Sequence, residues 1–119
     1  MIAFYSHHFP MALPAGHRFP VEKYELLYEA VRKHTASGLR LREAPEVSID
    51  ALARAHSNAY VEQMKTGSLP AHAQKALGLP WSKALYVRSL RSVGATLSAS
   101  QAALKDGIAA SLAGGTHHA

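Results

Sequence analysis

Ile108-Ala109-Ala110-Ser111-Leu112-Ala113-Gly114-Gly115-Thr116-His117-His118-Ala119 is the stretch whose reading decides the fold. Its first six residues form a short apolar run, the signature of a buried strand. Two glycines then free the backbone to turn and to approach a ligand closely. Adjacent side chains on a regular strand point to opposite faces. Both imidazoles therefore reach one ligand only if the chain bends, which Gly114 and Gly115 allow. A histidine of ordinary pKa can take a proton from water and return it to a leaving amine. In open α/β sheets, chemistry collects outside the carboxyl ends of the strands. A strand, a glycine turn and an imidazole pair thus read as one wall of an active site. They read equally as one buried, hydrogen-bonded imidazole beside one exposed; the spacing alone does not separate the two.

Working backwards, Ser82 to about Lys105 is the longest helical segment. Tyr86, Leu90, Val93, Leu97 and Leu104 form a stripe at intervals of 4, 3, 4 and 7. Gly94, Ala95, Ser98, Ala99, Ala102 and Ala103 surround it and would permit close approach to a sheet or helix. Gly107 ends the segment. Before it lie three shorter pieces: a turn of helix at Ala71 to Leu77, a helix capped by Asn58 with Tyr60, Val61 and Met64 inward and Gly67 as its stop, and a helix from the N-cap Ser48 to His56. Glu43 to Glu46 reads as a connector and Leu39 to Leu41 as a short strand. Val21, Tyr24, Leu27, Tyr28 and Val31 recur at helical spacing after Pro20, which suits a first helical turn; that helix should stop near Ser37-Gly38. Ile2 to Ser6 is the first strand, and His7 to Arg18 is a loop. Strand, helix, strand, helices, strand is an α/β order with crossover connections.

The chain has 119 residues, enough for one domain. Hydrophobic content is 48% and charged content 18%, which is globular rather than disordered. No cysteine is present, so disulfides, thiolate metal sites and a cysteine nucleophile are excluded. No apolar run is long enough to span a bilayer. The N-terminus lacks the pattern of a signal peptide. The expected compartment is the cytoplasm. Net charge is +5, but the thirteen Lys and Arg residues are dispersed and do not alternate with aromatics. Nucleic acid is therefore not an expected partner.

Other residues stand out less sharply. His7-His8 follow the first strand and could share a sheet edge with His117-His118. A histidine-only metal module from these four is one alternative. Hydrolytic metal sites normally also use a carboxylate or three imidazoles in fixed geometry. Asp50 and Asp106, the only aspartates, lie far from any histidine in sequence. No metal site is assigned within the chain. Arg18 either binds a carboxylate bidentately or stabilises its own loop. Arg88 and Arg91 share a helix face and are solvated unless loops bury them. Trp81 serves as a core anchor or as a ligand contact.

Several stretches occur together and in order. They are Pro14-Ala15-Gly16-His17-Arg18-Phe19-Pro20 with Glu22-Lys23-Tyr24 and Leu27, then Ala55-His56 with Tyr60-Val61. Gly78-Leu79-Pro80-Trp81-Ser82, Arg88-Ser89-Leu90-Arg91-Ser92-Val93-Gly94 and Leu112 to Ala119 follow. With these stretches the chain resembles the N-terminal part of a histone deacetylase family protein, in the bacterial branch related to class IV deacetylases. The resemblance implies an arginase/deacetylase-like three-layer fold with a mainly parallel sheet. It implies a zinc-dependent amidohydrolase acting on acetyl-lysine or a related acyl-amine, the zinc activating water and polarising the acyl carbonyl. His118 would be the general base and then the acid, and His117 would hydrogen-bond the water and support the transition state. Arg18 would line a channel behind the site, Trp81 the rim of the substrate tunnel, and Gly114 and Gly115 the substrate wall.

The family's zinc ligands, an Asp-x-His element and a later Asp, are absent from residues 1–119. The expectation is thus a partial domain over 1–119 that holds no zinc tightly and is inactive alone. The rival expectation is a non-catalytic fragment that dimerises through an exposed sheet edge, or pairs with a C-terminal half.

Overall fold

The computed structural model describes residues 1–34 and 38–114. Strand β1 (Ile2–Tyr5) leads to helix α1 (Lys23–Lys33) and strand β2 (Arg40–Glu43). Helices α2 (Ile49–Ala53), α3 (Asn58–Thr66), α4 (Ala71–Leu77) and α5 (Lys83–Asp106) precede strand β3 (Ala109–Ser111). The strands form one parallel sheet in the order β2-β1-β3. Ile2 pairs with Arg40 on one side and with Ala109 on the other. The α/β class is as expected.

β1 is central because its sequence tolerates burial on both faces. Ile2, Ala3 and Phe4 are all buried, the near-continuous apolar run that parallel strands require. β2 reads Arg-Leu-Arg-Glu, and three of its four residues are exposed, so it is an edge. Pairing continues past the strands: Ala44 N–H donates to Tyr5 C=O at 2.8 Å and Leu112 N–H to Phe4 C=O at 2.8 Å. Ile2 and Phe4 meet Ala95 and Ala99 of α5 together with Ala44. Tyr5 meets Tyr28 of α1, ring centroids 4.7 Å apart.

The face of α5 against the sheet is not the Tyr86–Leu104 stripe. Small residues bury instead: Gly94, Ala95 and Ala99. The stripe is split. Tyr86 and Leu90 pack with Val47 and Met64, whereas Val93, Leu97 and Leu104 are 38%, 40% and 90% exposed. Close packing explains the preference, because helix and sheet approach nearest where side chains are smallest. At Gly94 the approach is extreme. A Cβ there would overlap the Pro45 carbonyl oxygen and lie 2.9 Å from its carbon. Beside it, Val47 N–H donates to Leu90 C=O at 3.2 Å, binding the β2–α2 connector to the helix backbone.

Serines start three of the helices. Ser48, Ser57 and Ser82 hydroxyls accept from Ala51, Tyr60 and Leu85 N–H at 3.2, 3.2 and 3.0 Å. The cap of α3 is therefore Ser57, one residue before the expected Asn58. α2 stops at Ala53 rather than His56. α1 begins at Lys23, not at Pro20; residues 20–24 form turns in which Lys23 and Tyr24 N–H donate to Pro20 and Val21 C=O at 3.3 Å each. α1 ends at Lys33 with His34 as its cap, short of the expected stop near Ser37-Gly38; Ser37 lies outside the described residues, and Gly38 sits in a turn rather than capping the helix. Only Tyr24 of its apolar face is fully buried, and Leu27 is 44% exposed. β2 runs two residues beyond the expected Leu41, taking Glu43 from the connector, and β3 is shorter than the expected Ile108 to Ala113.

Gly94→Ala separates propensity from packing. In an exposed helix interior the change stabilises by up to about 1 kcal/mol. Here it is expected to destabilise by about 2 kcal/mol or more, because backbone must move. Urea unfolding of Gly94→Ala beside Ser98→Ala measures the difference.

Candidate active site at the carboxyl edge of the sheet

All three strands leave the sheet at one edge. β1 runs into Ser6-His7-His8-Phe9, β2 into Ala44-Pro45-Glu46, and β3 into Leu112-Ala113-Gly114. Ala113 is buried, and its carbonyl accepts from Ser92 Oγ of α5 at 3.0 Å. The segment that carries the histidine pair is thus anchored at its root. Gly114 is exposed. Gly115, His117 and His118 lie outside the described residues.

Two arginines of α5 organise the loops here. Arg88 is 5% exposed. Its Nη1 donates to the carbonyls of Ser6 and Phe9, the latter at 3.1 Å, and its guanidinium lies 4.4 Å from the Tyr24 ring centroid. Burial lowers its pKa, while Tyr24 opposes that shift. Arg91 Nη1 donates to Ala44 C=O at 2.8 Å and to Glu43 Oε1 at 3.1 Å, and Nη2 pairs with Glu46 at 3.2 Å. Its guanidinium sits 4.3 Å from the Phe9 ring. One helix face therefore grips both the β1–α1 loop and the β2–α2 connector. This is the condition under which the pair is not simply solvated. The sequence signal is the three-residue spacing of two forked donors.

His7 and His8 take different surroundings. His7 stacks on Tyr28 at 4.0 Å between centroids. His8 Nε2 pairs with Glu43 Oε2 at 3.1 Å. Burial lowers the His7 pKa, the His8 and Arg88 charges add to that, and Glu25 and Glu29 oppose it. Among the described residues no three His, Asp or Glu side chains converge on a point that could hold a metal ion. Asp50 opens α2 and Asp106 ends α5. The residues described do not fit a zinc site.

Arg18 is exposed and lines an open groove of about 600 Å³, with Gly16, His17, Phe19 and Pro20 on one side and Leu77, Gly78 and Leu79 on the other. Trp81 turns instead towards α3. Its Nε1–H donates to Met64 C=O at 2.7 Å, and its ring covers Gly67, where a Cβ would come within 2.8 Å. Arg18 and Trp81 belong to neighbouring segments, but the groove walls do not join them.

A parallel α/β unit whose loops gather at its carboxyl edge defines a domain of the kind that builds sites from strand ends. A histone deacetylase domain profile matches residues 17–119. The chain belongs to the histone deacetylase domain family. It is also 37% identical over 108 residues to an uncharacterized protein of Picosynechococcus sp.; the match covers 90% of this chain and 36% of that protein. The chain thus spans about a third of the length of this relative.

Three outcomes are expected. Arg88→Met leaves the Ser6 and Phe9 carbonyls without their donor and should cost about 3 kcal/mol, with faster amide exchange from Phe9 to Leu13. Arg91→Met, in a partly exposed network, should cost about 1 kcal/mol. For His7, an unfolded chain protonates at higher pH than the folded one. Stability should therefore fall as pH drops from 6.5, the ordinary histidine value, through the lower folded-state value. Urea midpoints across about pH 5 to 8 should show this slope and its flattening in His7→Phe.

Proposed function

We propose that this chain supplies the acid–base part of a zinc-dependent deacylase acting on acetyl-lysine or a related acyl-amine. The observation that carries the reading is the family match over residues 17–119, which includes the Gly114–His118 segment at the root fixed by Ser92. In the reaction, water adds to the acyl carbon, the C–N bond breaks, and a carboxylate and an amine leave. His118 takes the proton from water and delivers it to the amine nitrogen. His117 hydrogen-bonds the water and stabilises charge in the transition state. Gly114 and Gly115 let backbone lie against the acyl chain. Arg18 and the Leu79-Pro80-Trp81 segment flank the approach.

Zinc supplies the Lewis acidity that this chemistry uses in the family. Residues 1–119 lack the Asp-x-His ligand element, so the reading gives this chain no metal of its own and no deacylase activity alone. Among the described residues no helix is long and apolar enough to cross a membrane. The reading assigns the chain to the cytoplasm, on its freedom from cysteine.

The test compares the chain alone with a fusion of residues 1–119 to the remaining length of the Picosynechococcus protein. The chain alone should release no acetate from acetyl-lysine peptides, with or without added zinc. The folded, zinc-loaded fusion should release it, and His118→Ala should lower kcat by about 10²–10⁴-fold. A folded, zinc-loaded fusion that hydrolyses no acyl-amine, or one indifferent to His118→Ala, overturns the proposal.

A further inference from the structure

Helix α5 holds the exit of each of the three described strands by side chains from adjacent positions of one turn. Arg88 donates to the carbonyls of Ser6 and Phe9, after β1. Arg91 donates to the carbonyl of Ala44, after β2, at 2.8 Å. Ser92 Oγ donates to the carbonyl of Ala113, after β3, at 3.0 Å. Residues three and four apart on a helix are neighbours on its surface, so Arg88 meets both Arg91 and Ser92 at the carboxyl edge. The exit that Ser92 holds continues into Gly114-Gly115-Thr116-His117-His118.

The Ser92 bond departs from what helix hydroxyls ordinarily do. A serine or threonine inside a helix bonds back to the carbonyl four residues earlier. Ser89, Thr96 and Ser100 of α5 do this, donating to the carbonyls of Leu85, Ser92 and Thr96 at 2.9, 3.2 and 2.9 Å. Ser92 turns away from its own helix and reaches a carbonyl 21 residues along the chain. That carbonyl belongs to Ala113, which is 1% exposed and packs with Met11, Tyr24, Leu79 and Leu85. A buried carbonyl needs a donor, and Ser92 supplies it.

We infer that Ser92 is a positioning residue for the histidine pair, an inference that rests on the acid–base reading of His117 and His118 given above. Gly114 and Gly115 carry no side chain to hold the backbone on a course, so the bond at Ala113 sets the direction in which the segment starts. His117 is four residues further on, a span of about 14 Å at most. A rotation of the Ala113 peptide is carried over that short distance to the imidazoles. Displacing a catalytic group by about 1 Å costs on the order of 10²-fold in rate. Ser92 acts through the Ala113 carbonyl and takes no part in proton transfer.

The folded, zinc-loaded fusion described above carries the first test. Ser92→Ala should lower kcat about 10- to 100-fold with little change in KM. It should also move the acid limb of the kcat–pH profile, which the His118 imidazole sets. Ser92→Thr keeps the hydroxyl and should restore both. Ser100→Ala removes a back-bonded hydroxyl from the exposed side of α5 and should change neither. A mere loss of folded enzyme lowers kcat without moving the pH profile. An unmoved profile in Ser92→Ala, or a Ser92→Thr no better than the alanine variant, therefore overturns the inference, while the effect of His118→Ala judges the reading of function separately. The second test needs no turnover. In the 119-residue chain, Ser92→Ala should shift the imidazole NMR signals of His117 and His118, assigned through His117→Gln and His118→Gln, and Ser100→Ala should not. Signals indifferent to Ser92→Ala overturn the inference, whether or not the fusion hydrolyses an acyl-amine.

Discussion

The close approach of α5 to Pro45 is the constraint on which the rest of the arrangement depends. With no side chain at Gly94, the helix backbone lies directly on the β2–α2 connector. That fixes how near the helix sits to the sheet and which of its faces is turned inward. Alanine on the inward face then leaves room for Ile2 and Phe4 of the central strand. Once the helix is at this depth, Arg88 and Arg91 reach the loops at the strand ends. A larger residue at position 94 would lift the helix and withdraw both guanidinium groups together.

Those arginines solve a problem that apolar packing cannot. The loops leaving β1 and β2 carry carbonyl groups into a partly buried region, and buried carbonyls need donors. A guanidinium offers several donors in a rigid plane, so Arg88 serves Ser6 and Phe9 while stacking on Tyr24. Hydrogen bonds to a charged donor contribute roughly 1.5–3 kcal/mol each, enough to offset part of the cost of burying the cation. Arg91 does similar work nearer solvent, where carboxylates of Glu43 and Glu46 share its charge. The carboxyl edge is thus held in shape by these charged donors together with the buried apolar cluster of Met11, Tyr24, Leu79, Leu85 and Ala113.

The order of elements, the starts of α2 and α5 and the stops of α3 and α5 were legible in the sequence, because Ser48, Ser82, Gly67 and Gly107 act through local backbone rules. The inward face of α5 was not. Its larger residues form the more obvious stripe, and periodicity ranks residues by hydrophobicity rather than by how closely a backbone can approach. Pro20 misled for a related reason: it suits a first helical turn, yet the turns at Phe19 to Glu22 continue before the helix begins. The histidine pair was read from Gly114-Gly115-Thr116-His117-His118 alone, and those imidazoles fall outside the described residues. What the structure adds is the anchoring of the preceding Ala113. Arg88 was recognised only as one of two outcomes, since burial of a helix face depends on loops distant in sequence.

The sheet register carries a kinetic consequence. Ile2 pairs with Ala109, so the central strand stays incomplete on one side until more than a hundred further residues have emerged during synthesis. Closing a loop of that length is entropically costly and slow. Helices α2 to α5, which begin at their own serine caps or turns, can form while Ile2, Ala3 and Phe4 wait unpaired on one flank. That interval exposes the most apolar of the three described strands, which leaves it open to mispairing before β3 arrives.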